Sequence, residues 1–129
     1  MNTTLIIANI LVFLTFIAHT FGGDGAYGKI EPDQTDFAKL QFWVMGRGAF
    51  QMVSVDCLLA TIGLTLINFT NYFKDPKLLL NILAIYFFAY GIAFLITLII
   101  STKFPKSFIK LWQWLLMFVI SGLIYAGTL

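Results

Sequence analysis

Apolar residues run along this chain in four long windows, Thr3 to Phe21, Phe42 to Phe69, Lys77 to Ser101 and Phe108 to Thr128, separated by short polar stretches. A helix needs about 20 apolar residues to cross a hydrocarbon layer, and each window has that length. None alternates with the short period of a barrel strand. Backbone groups in lipid must be bonded within their own segment, so all four windows are expected to be α-helical despite their β-branched and aromatic residues. Tight connections at residues 70–76 and around Lys103, Pro105 and Lys106 make antiparallel neighbours. The pattern predicts an all-α, four-helix transmembrane bundle, up-down-up-down, formed by residues 1–129 as a single integral membrane domain.

The longest polar stretch, residues 22–41, has two halves. Gly22, Gly23, Gly25 and Gly28 read as a turn region, and Pro32, Asp33 and Thr35 as a helix start with Asp33 or Thr35 as cap. Phe37, Leu40 and Val44 follow at helical spacing, so the second helix is expected to begin before the membrane, along its surface. The first window has neither a basic leader nor an A-x-A-like site after it and is expected to be retained. Close helix packing in lipid favours small residues, and Ala89 with Ala93, Gly122 with Ala126, and Ala60 with Gly63 have suitable spacings.

Composition agrees with lipid as the solvent: 60% of residues are hydrophobic and 11% charged, more apolar surface than one soluble core of this length can hide. The net charge of +2 matters only once it is divided between sides. Lys29, Lys39, Lys103, Lys106 and Lys110 fall on one side with Arg47 just inside the second window, against Lys74 and Lys77 on the other. The positive-inside rule then places the first and third loops in the cytoplasm and both termini outside. Trp43, Trp112 and Trp114 fall at the same end, where amphipathic rings prefer the interface. No basic patch with interleaved aromatics points to nucleic acid.

Polar side chains inside such a chain each need a reason. Asp56 lies near the middle of the second window, where a carboxylate costs on the order of 3 kcal/mol to insert. Arg47, nine positions earlier, is out of phase with it. Thr15 and Tyr90 are expected at comparable depth, which makes Asp56, Tyr90 and Thr15 a candidate intramembrane polar site. A second cluster gathers at the cytoplasmic end: His19 and Asp24, then Arg47, Gln51 and Ser54 on one face of the second helix. Antiparallel pairing is expected to set His19 against Gln51, with imidazole titrating near neutrality and a guanidinium suited to phosphate. One histidine and one cysteine supply neither a haem pair nor a zinc site, so no cofactor is expected. The glycine run lacks the spacing of a phosphate loop.

The segment Ala18-His19-Thr20-Phe21-Gly22-Gly23-Asp24, followed by Arg47 through Ser54, resembles a group of small uncharacterised bacterial four-span membrane proteins. Those carry A-H-S-x-x-G-E at the end of the first span and R-x-x-W-H-x-x-T opening the second. Phe50-Gln51 stands here where that pattern has Trp-His, so a two-histidine site is not implied. The resemblance implies the four-span architecture and a bacterial inner membrane, and no activity. The expected function is a non-enzymatic binding or assembly subunit in the lipid bilayer, partnered by copies of itself or by another membrane protein. The alternatives are an oligomeric proton-linked transporter or channel using Asp56, and a quinone- or lipid-binding enzyme using His19 and Arg47.

Overall fold

The computed structural model describes residues 2–101, 103 and 105–129, and no strand occurs among them. Helix α1 (Thr3–Ile17), a π-helical segment (Ala18–Gly23) and α2 (Asp24–Gly28) run on without a break. They are followed by α3 (Phe37–Phe69), α4 (Lys77–Ile100), a single turn α5 (Ser107–Lys110) and α6 (Gln113–Ala126). Three helices are long and apolar enough to cross a membrane: Thr3–Gly28 with 26 residues, Phe37–Phe69 with 33 and Lys77–Ile100 with 24. Only 22% of each span's most apolar window is buried within the protein. Side chains such as Ile10, Phe13, Leu14, Ile85, Ile96 and Ile99 point outward. An apolar exterior on that scale suggests a membrane protein, because water does not tolerate it and lipid does.

The fourth window is shorter than the sequence suggests. Its helix α6 has 14 residues, about 21 Å at 1.5 Å per residue, against a hydrocarbon core of about 30 Å. The helical path fails at Leu111, which leaves helical geometry at φ −117° and ψ 70°. Residues 107–110 curl into the separate turn α5 after Lys106, which adopts a left-handed conformation at φ 56°. Continuing the helix backward would carry Lys106 and Lys110 toward lipid. The first loop is also corrected. The glycines at 22, 23, 25 and 28 do not form a turn; helix runs through them to Gly28, because lipid penalises an open backbone more than glycine's low propensity does.

Helix starts follow simple capping chemistry. The Asn2 carboxamide oxygen accepts from the Thr4 amide at 3.1 Å and the Thr4 hydroxyl at 2.6 Å, closing the first turn of α1. Asp36, one position beyond Thr35, caps α3: its carboxylate accepts from the Lys39 amide at 3.1 Å and pairs with the Lys39 ammonium at 2.7 Å. These hydrogen bonds hold the Asp36 carboxyl below the usual carboxylate range.

The chain divides into two compact units, Met1–Ala8 with Leu64–Leu129, and Asn9–Gly63. In the first, α4 buries Leu80, Ala84, Phe87, Gly91 and Leu98 along one stripe, and α6 buries Ile120, Ser121 and Ile124. The two helices pack antiparallel. The Ser121 hydroxyl donates to the Ala84 carbonyl at 2.7 Å, and the Phe88 and Phe118 rings meet at 5.2 Å. Gly91 lies under Phe118, so that an added Cβ would stand 2.7 Å from the ring. At one edge Asn2 donates to the Gly127 carbonyl at 3.1 Å and Asn68 to the Leu5 carbonyl at 3.2 Å. Of the small residues expected at contacts, Ala60 is buried, whereas Ala89, Ala93, Gly122 and Ala126 are exposed. In the second unit α1 and α3 run antiparallel around Val12, Ser54, Cys57 and Ala60.

Candidate functional site

The second unit ends in a polar and aromatic cluster where α2 and the π-helical segment face the first half of α3. Asp24 opens α2 and Arg47 stands in α3. The guanidinium grips the carboxylate with both ends of its fork, Nε to Oδ1 at 2.8 Å and Nη2 to Oδ2 at 2.8 Å. That parallel pair of charge-assisted bonds fixes distance and orientation together. Gln51, one turn after Arg47, adds a side-chain hydrogen bond to Asp24. The Arg47 guanidinium also lies 5.2 Å from the centre of the Trp43 ring, an attractive cation–π distance.

His19 sits inside the π-helical segment, one residue after its start. Its Nδ1 shares a hydrogen bond with the Ser54 hydroxyl at 2.9 Å, and its ring stacks on Phe50 at 3.5 Å with the planes 11° apart. Either atom of the His19–Ser54 pair can donate, according to the imidazole tautomer. The rings continue along the hairpin: Phe50 to Tyr27 at 6.1 Å, then Tyr27 to Trp43 at 5.8 Å. The Trp43 indole N–H donates to the Tyr27 carbonyl at 3.2 Å. Two glycines permit this fit. Gly23 lies against the Phe50 ring and Gly46 against the Tyr27 hydroxyl, and a Cβ at either position would collide with the ring system. Thr20, beside His19, has a buried hydroxyl oxygen with no partner among the described residues.

All of His19, Asp24, Arg47, Gln51 and Ser54 come together, but in different pairs from those expected. His19 meets Ser54, and Gln51 meets Asp24. The π-helical turn carries more residues than an α-turn and rotates His19 away from the phase that regular counting gives. The Ser54 side chain is only 3% exposed and held between His19 and the Phe50 carbonyl. It is not positioned as a nucleophile. The Arg47 fork is occupied by Asp24, so its charge is already answered. Tyr27, Trp43 and Phe50 as a ring ladder were not foreseen. The antiparallel register predicts them once the first helix is extended to Gly28.

The Thr15 hydroxyl donates to the Leu11 carbonyl of its own helix at 2.7 Å, and the Tyr90 and Tyr86 hydroxyls share a hydrogen bond at 2.7 Å. Asp56 is half-buried on α3 beside the buried Cys57. Among the described residues no three of His, Cys, Asp and Glu gather as a metal site would require. In the other unit a recess of about 470 Å³ is lined by Asn2, Leu5 and residues 67–71. The buried Asn68 carboxamide oxygen there has no partner among the described residues. No known protein family, curated protein or solved structure matches this chain.

Proposed function

We propose that this chain is a small non-enzymatic subunit of a bacterial inner membrane, which binds another membrane protein through the His19 end of the α1–α3 hairpin. The observation that carries the reading is the internal saturation of the cluster. Asp24, Arg47 and Gln51 satisfy one another, Ser54 is held by His19 Nδ1 and the Phe50 carbonyl, and His19 Nε2 is left as the one ring nitrogen of the cluster without a hydrogen bond among the described residues. Phe21, Phe42 and Met45 are exposed around this end. A rigid apolar face with one directional polar contact suits a docking helix, for which packing and one interhelical hydrogen bond supply the attraction. In this reading α6 completes an up-down-up-down arrangement as a fourth, short crossing, with both termini outside as the lysine distribution favours.

Native mass spectrometry of the tagged chain, extracted from its own membranes, tests the proposal. A co-purifying membrane subunit that is lost with His19→Ala and kept with Asp56→Asn supports it. Recovery of the chain alone, or a subunit indifferent to His19, overturns it.

Asp56 supports a second reading, an oligomeric proton-linked channel or transporter, because a half-buried carboxylate inside a span is costly unless it has work to do. Under that reading Asp56→Asn abolishes pH-driven flux in reconstituted vesicles. A quinone- or lipid-modifying enzyme using His19 and Arg47 has less support, since Asp24 already occupies the Arg47 fork.

A further inference from the structure

The start of α1 and the end of α3 meet at the recess of about 470 Å³ lined by Asn2, Leu5 and residues 67–71. That is the size of a small-ligand pocket rather than of a packing defect. None of the residues that line it is ionisable. Its chemistry is therefore set by carboxamides, a hydroxyl and the backbone of a helix end.

The hydrogen-bond donors of this wall are largely committed. The Asn2 amide nitrogen donates to the Gly127 carbonyl at 3.1 Å, the Thr70 hydroxyl to the Leu66 carbonyl at 2.6 Å, and the Asn68 amide nitrogen to the Leu5 carbonyl at 3.2 Å. Acceptors are left over. The Asn68 carboxamide oxygen is buried with no partner among the described residues. Its identity is fixed, because reversing the amide would set that oxygen against the Leu5 carbonyl. A helix also ends in four carbonyls that lack an intrahelical donor. Thr70 takes up the one on Leu66, and residues 67–69, which line the recess, carry the rest. The negative end of a 33-residue helix lies at the same place.

We infer that this recess binds a primary ammonium group, with the Asn68 carboxamide oxygen and the carbonyls at the end of α3 as its acceptors. An ammonium brings three donors and no acceptor, the complement of what the wall has left. An anion would meet the same carbonyls with no basic side chain to offset them, and a quaternary ammonium has no N–H to give. The Asn68 oxygen is covered in the structure, so its carboxamide makes a small turn into the recess as the ligand is seated. Two sources offer this group: the headgroup of phosphatidylethanolamine and a small free amine.

The inference does not depend on the partner proposed for His19, and its test uses no partner. The full chain is placed in lipid discs of equal phosphatidylethanolamine and phosphatidylcholine, and native mass spectrometry counts the lipids retained. In discs of phosphatidylcholine alone, free ethanolamine and free choline are titrated against the NMR signal of the Asn68 side-chain amide. The primary ammonium is expected to win over its trimethylated form by roughly fivefold, the weight of one hydrogen bond. A preference among the lipids alone identifies the headgroup as ligand, one among the solutes alone identifies a free amine, and one in both admits either carrier. Asn68→Leu should abolish the preference, Asn68→Asp should strengthen it, and Ser121→Ala, outside the recess, should keep it. Thermal unfolding checks that each variant is folded, and Asn68→Asp carries the test should Asn68→Leu fail to fold. No preference in either arm, a preference that Asn68→Leu leaves unchanged, or one that Asn68→Asp weakens, overturns the inference.

Discussion

The two units of this chain hold helices together by opposite means. Where α4 meets α6, a stripe of Leu80, Ala84, Phe87 and Gly91 packs against Phe118, Ile120, Ser121 and Ile124, with a buried hydrogen bond from Ser121 to the Ala84 carbonyl. Where α2 and the π-helical segment meet α3, the contacts are a two-point ion pair, an imidazole–hydroxyl bond and a ladder of rings. Lipid explains the first: between apolar helices the attraction is close packing, so shape matters more than chemistry. The second is expensive to place at a membrane unless each group has its partner. Its persistence there is the reason to look for function at that end.

If packing holds α4 to α6, enlarging the space between them is the most damaging change available. Phe87→Ala removes a side chain that is 1% exposed and should cost about 3–5 kcal/mol in reversible unfolding in mixed micelles. The His19–Phe50 stack should be left in place. A cost below about 1 kcal/mol would mean that α4 is not seated on a fitted surface. Filling the space is the next test. Gly91→Val forces a branched side chain into Phe118 and should cost about 1–3 kcal/mol, partly recovered by Phe118→Leu in a double-variant comparison. Removing the Ser121 hydrogen bond to Ala84 should matter less. Ser121→Ala should cost about 0.6 kcal/mol, the average measured for interhelical hydrogen bonds in lipid.

The smallest effect concerns the start of α3. Hydrogen bonds from Lys39 lower the Asp36 pKa on folding, so the cap's contribution is present above the ordinary carboxylate pKa and is lost as pH falls through the lowered folded value. Exchange of the Lys39 amide should therefore quicken in acid, and Asp36→Asn should remove that pH dependence without affecting α4 or α6.

Much of this was legible in the chain because lipid imposes few solutions. Hydropathy places four helices of spanning length, of which three have that length in the structure, and helical phase with depth gathers His19, Asp24, Arg47, Gln51 and Ser54 at one end. What could not be read was local. The glycines at 22–28 looked like a turn because glycine disfavours helix in water, yet here Gly23 and Gly46 let Phe50 and Tyr27 approach the opposing backbone. The π-helical segment changes the phase of His19 and so its partner, and hydropathy carries no trace of such a turn. The break at Leu111 was hidden because apolar residues continue on both sides of it. Only the nearby lysines hinted that the run is divided.

The Asp24–Arg47 pair locks the polar end of the hairpin. Charge reversal in lipid discs tests it most directly: Asp24→Arg and Arg47→Asp, singly and together, with thermal unfolding as the readout. Each single change should lower the unfolding temperature markedly and the double exchange should restore most of the loss. Single changes that leave the temperature unmoved, or a double exchange as unstable as the worse single, would mean that the pair does not hold that end together.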